Sequence, residues 1–205
     1  MNTNTKNPSS STSKSTRIPD FQFDTLLQNR LDQPFFNKDV VLVAQKLLGC
    51  YLVVFKNSIL RIGQITETEA YGGTSDLASH ARHGPTPRNK IMWGPPGILY
   101  VYLVYGLHHL FNIIVKPPQQ PSGVLIRSLK PVLNLPQNVD GPARLTKALG
   151  ITRNDTGHNL TQSSQIFIAK SANTPVSFCS LPRIGIDYAP EPWRSIPWRF
   201  TLKKH

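Results

Sequence analysis

Ser58-Ile59-Leu60-Arg61-Ile62-Gly63-Gln64-Ile65-Thr66-Glu67-Thr68-Glu69-Ala70-Tyr71 is the stretch on which the fold turns. Read as one long strand, it puts alternate residues on one face, so Glu67, Glu69 and Tyr71 project together while Thr66, Thr68 and Ala70 face the other way. The β-branched and aromatic run 51–56 precedes it, and runs 98–105, 110–115 and 123–129 continue the set. Upstream, Asn37 is placed to cap a helix whose apolar positions Val40, Val41, Ala44, Leu47 and Leu48 follow a helical period, with Gly49 as its stop. Downstream, Asp140-Gly141-Pro142 supplies a cap and first turn for a short helix through Leu149 that ends at Gly150. Residues 166–169 and 184–186 read as late strands. Strands outnumber helices and do not alternate with them, so the expected fold class is α+β. The expected architecture is a single domain with a curved, largely antiparallel sheet flanked by short helices and long loops.

Between the second and third strands lie residues 72–97, punctuated by Gly72, Gly73, Gly84, Pro85, Pro87, Gly94, Pro95 and Pro96. A connection that long in a compact domain is usually functional. Its content points the same way, with His80, Arg82, His83, Arg88 and Lys90 all inside it.

The chain has 205 residues, 39% of them apolar, and a formal charge of +12. That charge is unevenly placed: residues 77–205 hold 15 Lys and Arg against 4 Asp and Glu, and residues 1–76 hold 8 against 7. Such asymmetry fits a polyanionic partner, nucleic acid above all. There is no basic amphipathic helix for a membrane surface, and no apolar run approaches the ~18 residues of a membrane span. Cys50 and Cys179 are far apart and lack metal-ligand spacing, which fits a reduced, intracellular compartment. Residues 1–33 are expected to be a disordered tail and 34–205 the folded domain. The start is rich in Ser, Thr and Asn without an apolar h-region, so it does not read as a secretory signal; an organelle transit peptide stays open.

Two islands carry the chemistry. In the first, Glu67, Glu69 and Tyr71 share a surface, with His80 nine residues on from Tyr71. In the second, Tyr100 and Tyr102 share one strand face, while Tyr105 precedes Gly106, where a turn can thrust it outward. Each island has an ordinary counterpart: a half-buried strand shows the same aromatic alternation, and a solvated strand face carries paired glutamates. Together they are the parts of a pocket that stacks a flat base and acts on it. His80, His83, His108 and His109 have no zinc spacing, and there is no GxxxxGK[ST] loop and no GxSxG elbow. No metal and no cofactor are expected.

The residues resemble the alkylpurine-type 3-methyladenine DNA glycosylase family. The likeness runs through Leu47-Leu48-Gly49, Glu67-Thr68-Glu69-Ala70-Tyr71, Ala78-Ser79-His80-Ala81-Arg82, Thr86-Pro87-Arg88-Asn89, Gly97-Ile98-Leu99-Tyr100-Val101-Tyr102 and Tyr105-Gly106. It continues in Asn112-Ile113, Val124-Leu125-Ile126-Arg127, Gly141-Pro142-Ala143-Arg144-Leu145 and Arg183-Ile184-Gly185-Ile186. So many motifs in order, over about residues 35–200, make the likeness highly specific.

The resemblance implies a monomeric, monofunctional hydrolase that flips a damaged purine out of double-stranded DNA and cuts its N-glycosidic bond. It implies Glu69 as the base that activates water and Arg127 as the group that places that water or keeps Glu69 charged. Tyr71, Ala78, His80 and Tyr102 would enclose the flipped base, and Asn112 would stand at the pocket floor against the amino group of guanine. Tyr105 would fill the gap left in the duplex, with Arg82, Thr86, Arg88 and Lys90 along the DNA and Arg144 and Lys147 as weaker phosphate contacts. Leu107-His108-His109 departs from the family pattern, as do the 130–140 and 170–182 connections. Two rival readings are a catalytically silent nucleic-acid binder that keeps the aromatic platform, and an unrelated sugar or nucleoside hydrolase.

Overall fold

A computed structural model describes residues 23–116, 119–171 and 176–203. The chain enters through three helices, α1 (Phe23–Gln28), α2 (Gln33–Phe36) and α3 (Val40–Leu47). Asp32 caps α2 by accepting from the Phe35 amide, and Asp39 caps α3 by accepting from the Val41 and Leu42 amides. Each carboxylate satisfies N–H groups that no preceding turn can reach. Asn37 is therefore not the cap of the long helix: the four-residue α2, too short to show a period, uses it as its own C-terminal cap. Packed chain also begins before Pro34, the expected boundary. Leu26 of α1 is buried in a cluster with Val53, Ile62 and Phe167, and the Leu31 amide donates to Ile168 O at 2.8 Å. The rest of the expected tail, residues 1–22, lies outside the described residues.

The sheet comprises β1 (Tyr51–Lys56), β2 (Ile59–Tyr71), β3 (Leu99–Val104), β4 (His108–Val115) and β5 (Ser122–Leu133). After α4 (Pro142–Leu149) it adds β6 (Ile166–Ala169), β7 (Phe178–Leu181) and β8 (Arg199–Leu202). Every ladder is antiparallel, in the order β3-β4-β5-β2-β1-β6. The long β2 is the spine. β5 pairs along one side of it, while on the other β1 pairs with Ile59 to Gln64 and β8 with Glu67 to Glu69. Two partners on one edge require the sheet to curl, and the β2–β5 register supplies the bends. It slips between Ile65 and Glu67, where Thr66 is the extra residue, and again between Glu67 and Thr68, where Arg127 is the extra residue on β5. Bulges of this kind increase twist and re-aim side chains. A further slip lies between Ile62 and Gly63, where a Cβ on Gly63 would meet Leu129 Cδ1 at 2.8 Å and Leu129 Cβ at 3.0 Å, so the close approach there favours glycine.

The buried face of the sheet holds Leu52, Val54, Ile65, Ala70, Phe111 and Ile126, packed with Phe36, Val43, Ala44 and Leu47 of the helices. Burying each such side chain contributes roughly 1.5–3 kcal/mol, which seats α3 against β2. Thr68, also buried, donates to Ala44 O at 2.9 Å and needs no water.

Within Asp140-Gly141-Pro142, Gly141 is the N-cap of α4 and Pro142 opens the helix, which ends at Gly150 as expected; Asp140 accepts from Ser128 Oγ at 2.5 Å. One expectation from the sequence does not hold. Residues 184–186 are not a strand. Gly185 has φ +78 and the Ile184 amide is engaged by a side chain, so neither can continue a ladder; β7 and β8 form the late pairing instead. The expected α+β, curved antiparallel domain with short helices is otherwise what the chain adopts.

Candidate active site

A cleft of about 990 Å³ opens between the β3–β4 hairpin, β5, the 72–97 connection and the strap 184–188. The expected residues Tyr71, Ala78, His80, Tyr102, Asn112 and Arg127 line it, as do Arg82, Arg88 and Tyr105. Glu69, Thr86 and Lys90 do not.

Glu69 lies immediately behind the wall. It is fully buried, and its carboxylate accepts two hydrogen bonds, from Tyr71 OH on Oε2 at 2.8 Å and from the Ile184 amide on Oε1 at 2.8 Å, and forms an ion pair with Arg127, whose Nη1 lies 3.3 Å from Oε1. All three partners line the cleft, so the acid reaches it through them. Loss of hydration raises the Glu69 carboxyl above its ordinary range, an effect that Arg127, the Ile184 amide and Tyr71 oppose. Glu67 has a different environment. Its Oε1 lies 2.9 Å from Arg199 Nη1 and 3.4 Å from Arg127 Nε, a paired carboxylate at the partly exposed side of the network. The bulge at Arg127 is what lets one guanidinium meet both acids.

Aromatic side chains line the cleft. The rings of His80 and Tyr102 lie 3.7 Å apart at 31°, with Tyr100 edge-on to both at 6.3 and 6.0 Å. Burial, with Arg88 and Arg82 adding to it, lowers the His80 imidazole to about 4, so the ring is neutral at physiological pH. A neutral histidine stacks on a base without repelling a cationic one. Asn112, 9% exposed, donates through Nδ2 to Leu110 O at 3.1 Å and Tyr100 O at 3.3 Å, which fixes its amide at the base of the β3–β4 hairpin.

The 72–97 connection is tied down from within. Asn89 Nδ2 donates to His80 O at 2.8 Å and Gly84 O at 3.2 Å, while its Oδ1 accepts from the amide and hydroxyl of Thr86. Thr86 thus closes a turn rather than facing the cleft. Lys90 begins a short 3-10 turn (Lys90–Trp93) and lines a separate, smaller cavity behind Arg88.

Methylpurine-DNA glycosylase (MPG) is the description of the protein family that matches residues 34–205. The chain belongs to this family. It is therefore a DNA repair enzyme that hydrolyses N-glycosyl bonds. Relatives carry the provisional name 3-methyladenine DNA glycosylase. One from Myxococcus xanthus is 42% identical over 180 residues, covering 85% of this chain and 91% of that protein. Another, from Anaeromyxobacter dehalogenans strain 2CP-C, is 43% identical over 175 residues, covering 85% and 84%. A third, from Legionella pneumophila strain Corby, is 41% identical over 176 residues, covering 85% and 94%.

In this glycosylase the structure also brings in residues to which the sequence assigned no role. Tyr188 lines the rim, donates to Ala78 O at 3.0 Å and has Arg82 4.9 Å over its ring. Ile184 supplies the amide on Glu69. Asp76 and Arg183 form a fully shielded pair beneath Tyr71, 107 residues apart in the chain. No local pattern marks such a pair, although Arg183-Ile184 stands inside one of the motifs quoted above. Among the described residues no group of His, Cys, Asp and Glu is placed to hold a metal ion, and no helix is long and apolar enough to cross a membrane.

Proposed function

We propose that the enzyme is a monofunctional glycosylase that flips alkylated or deaminated purines out of duplex DNA and hydrolyses the N-glycosidic bond with a water activated by Glu69. The substrate class is that of 3-methyladenine, 7-methylguanine, hypoxanthine and ethenoadenine. One observation carries this reading: a single buried carboxylate, with its basicity raised by burial, is held by two hydrogen bonds and an ion pair from residues that line an aromatic cleft. A carboxylate whose basicity burial raises, with the Arg127 guanidinium opposing that rise, suits proton abstraction from water.

A cationic alkylpurine is already a good leaving group, so one carboxylate suffices where ordinary glycoside cleavage uses two. It also gains about 0.5–2 kcal/mol between electron-rich rings. Tyr71, His80 and Tyr102 supply those rings, and Asn112 stands where the amino group of guanine would enter. Tyr105 occupies the vacated stack, offsetting a flipping cost of a few kcal/mol. Arg82, Arg88, Arg144 and Lys147 provide positive charge along the DNA path. We place the enzyme inside the cell, acting as a monomer. Lys90, turned to a separate cavity, favours hydrolysis over an amine-linked lyase step.

The test is a duplex bearing one hypoxanthine or one 7-methylguanine, followed by alkaline cleavage of abasic sites. The wild type is expected to give product. Glu69→Gln is expected to bind the lesion duplex normally but excise at least about 10²-fold more slowly, the scale of general-base catalysis. Near-normal turnover by Glu69→Gln would remove Glu69 from the mechanism. Binding without product on any lesion would favour a silent nucleic-acid binder.

A further inference from the structure

Behind the pocket wall lies a pair of charges that never touches the cleft. Arg183 Nη1 meets Asp76 Oδ2 at 2.5 Å and Nη2 meets Oδ1 at 3.0 Å, with both side chains fully shielded from solvent. The guanidinium also donates to Ala70 O at 2.9 Å and Trp193 O at 3.1 Å. Its Cζ stands 4.7 Å from the centre of the Tyr71 ring and 5.4 Å from that of Trp198. Tyr71 lines the cleft whereas Arg183 and Asp76 do not, so the ring has the ion pair at its back and the cavity at its front.

A buried ion pair is seldom the most stabilising way to fill a core. This one is connected to three parts of the wall: Tyr71, the loop that carries His80 and the strap at Ile184. Asp76 accepts from the amides of Gly72 and Ala78 at 2.9 and 3.0 Å, which sets the start of the loop that carries His80. Arg183 directly precedes Ile184, whose amide holds Glu69.

We propose that the Asp76–Arg183 pair sets the charge preference of the base slot: Arg183 supports Tyr71 from behind, and Asp76 cancels the positive field that would otherwise reach the base in front. The proposal rests on the glycosylase reading above. A bare cation behind a stacking ring repels a cationic purine on the opposite face, and a neutral base is indifferent to it. A carboxylate paired with the guanidinium removes that bias, so one tyrosine serves both cationic and neutral lesions. Asp76 and Arg183 are positioning residues, acting through Tyr71 rather than on the substrate.

The experiment compares kcat/KM on duplexes with a single 7-methylguanine (cationic) or a single hypoxanthine (neutral) for the wild type and three variants. Asp76→Asn leaves a guanidinium that cannot lose its proton. The cationic-to-neutral ratio is then expected to fall about tenfold or more, as for unit charges about 8 Å apart in a partly polar interior. Arg183→Met leaves a carboxylate held by two amides, and the ratio is expected to rise. The double variant removes both charges and is expected to return within about twofold of the wild-type ratio, since the two effects cancel.

A merely structural pair would lower both rates together, and unchanged ratios in the folded variants would overturn the proposal. So would a wild type that releases only one of the two lesions. If Asp76→Asn does not fold, the sign in Arg183→Met and the return in the double variant still decide. A wild type that releases neither lesion counts against the glycosylase reading itself, a distinguishable failure.

Discussion

Tyr71 and Tyr105 border the same cleft and are held in opposite ways. Tyr71 has its hydroxyl on Glu69, a guanidinium at its back and Ala78, Ile186, Ala189 and Trp193 packed around it. Tyr105 is 90% exposed at the tip of the β3–β4 hairpin, with φ +50, followed by Gly106 at φ +71 and by Leu107, which is 77% exposed. A non-glycine residue in the left-handed region is uncommon, and here it directs a large apolar ring into water. The contrast separates two physical tasks. On the proposed mechanism, a wall that must distinguish bases needs groups fixed by several bonds each, whereas a group that enters a gap in the DNA needs reach and no partner beforehand. Mutations should therefore couple stability to activity in the wall and uncouple them at the tip.

The largest stability effect is expected at Arg127, whose side chain is 13% exposed and carries the wall's charge balance between Glu67 and Glu69. Arg127→Met leaves Glu69 as an unpaired buried charge and is expected to cost about 3 kcal/mol in urea unfolding. It should also cost about 10²-fold in single-turnover excision. The sign at Glu69 is the reverse. Its carboxyl is raised in the folded protein, so ionisation favours the unfolded chain, and stability is lost as pH rises through the folded value. Glu69→Gln removes that penalty, and is expected to leave stability at neutral pH unchanged or higher. Adding it to Arg127→Met should recover much of the loss. A double variant no more stable than Arg127→Met would show that the wall is not organised around this charge.

The next effect belongs to His80. Its imidazole is lowered to about 4 against 6.5 for a free side chain, so the neutral ring is what the fold accommodates. A depressed pKa contributes stability that is complete above the unfolded value and is lost as pH falls, here between about 6.5 and 4, by roughly 2–3 kcal/mol. His80→Gln should flatten that acid limb in thermal melts recorded across this range. An unchanged limb would mean that other groups carry it.

How far the sequence foretold this wall follows from the range of the interactions. Strand parity put Glu67, Glu69 and Tyr71 on one surface, because alternation is local; the motif Glu67-Thr68-Glu69-Ala70-Tyr71 then directed attention to Glu69. The sheet was legible for the same reason, from β1 to β6. The bulges that aim Arg127 at both acids were not, because a register slip depends on both strands at once. The Ile184 amide was missed since a strand was expected there, and Asp76–Arg183 could not be read from spacing across 107 residues. At the amino end, Asn37 and Asp39 both suit a helix cap, and only the four-residue α2 between them and Asp32 decides the matter.

The smallest stability effect is expected at Tyr105, and it gives the sharpest form of the comparison. That ring is 90% exposed, so Tyr105→Ala should change unfolding free energy by no more than about 0.5 kcal/mol, the range of ordinary surface substitutions. On the proposed mechanism its loss is felt only when a base leaves the duplex, because the vacated stack is then left unfilled. Excision from duplex DNA should fall about tenfold or more, since the ring offsets part of a flipping cost of a few kcal/mol. Excision of the same lesion from a single strand, where no stack has to be replaced, should barely change. Equal losses on both substrates would place Tyr105 with the wall, as a residue that shapes the slot. A stability loss above about 1 kcal/mol would do the same, since it would reveal contacts that an exposed ring lacks.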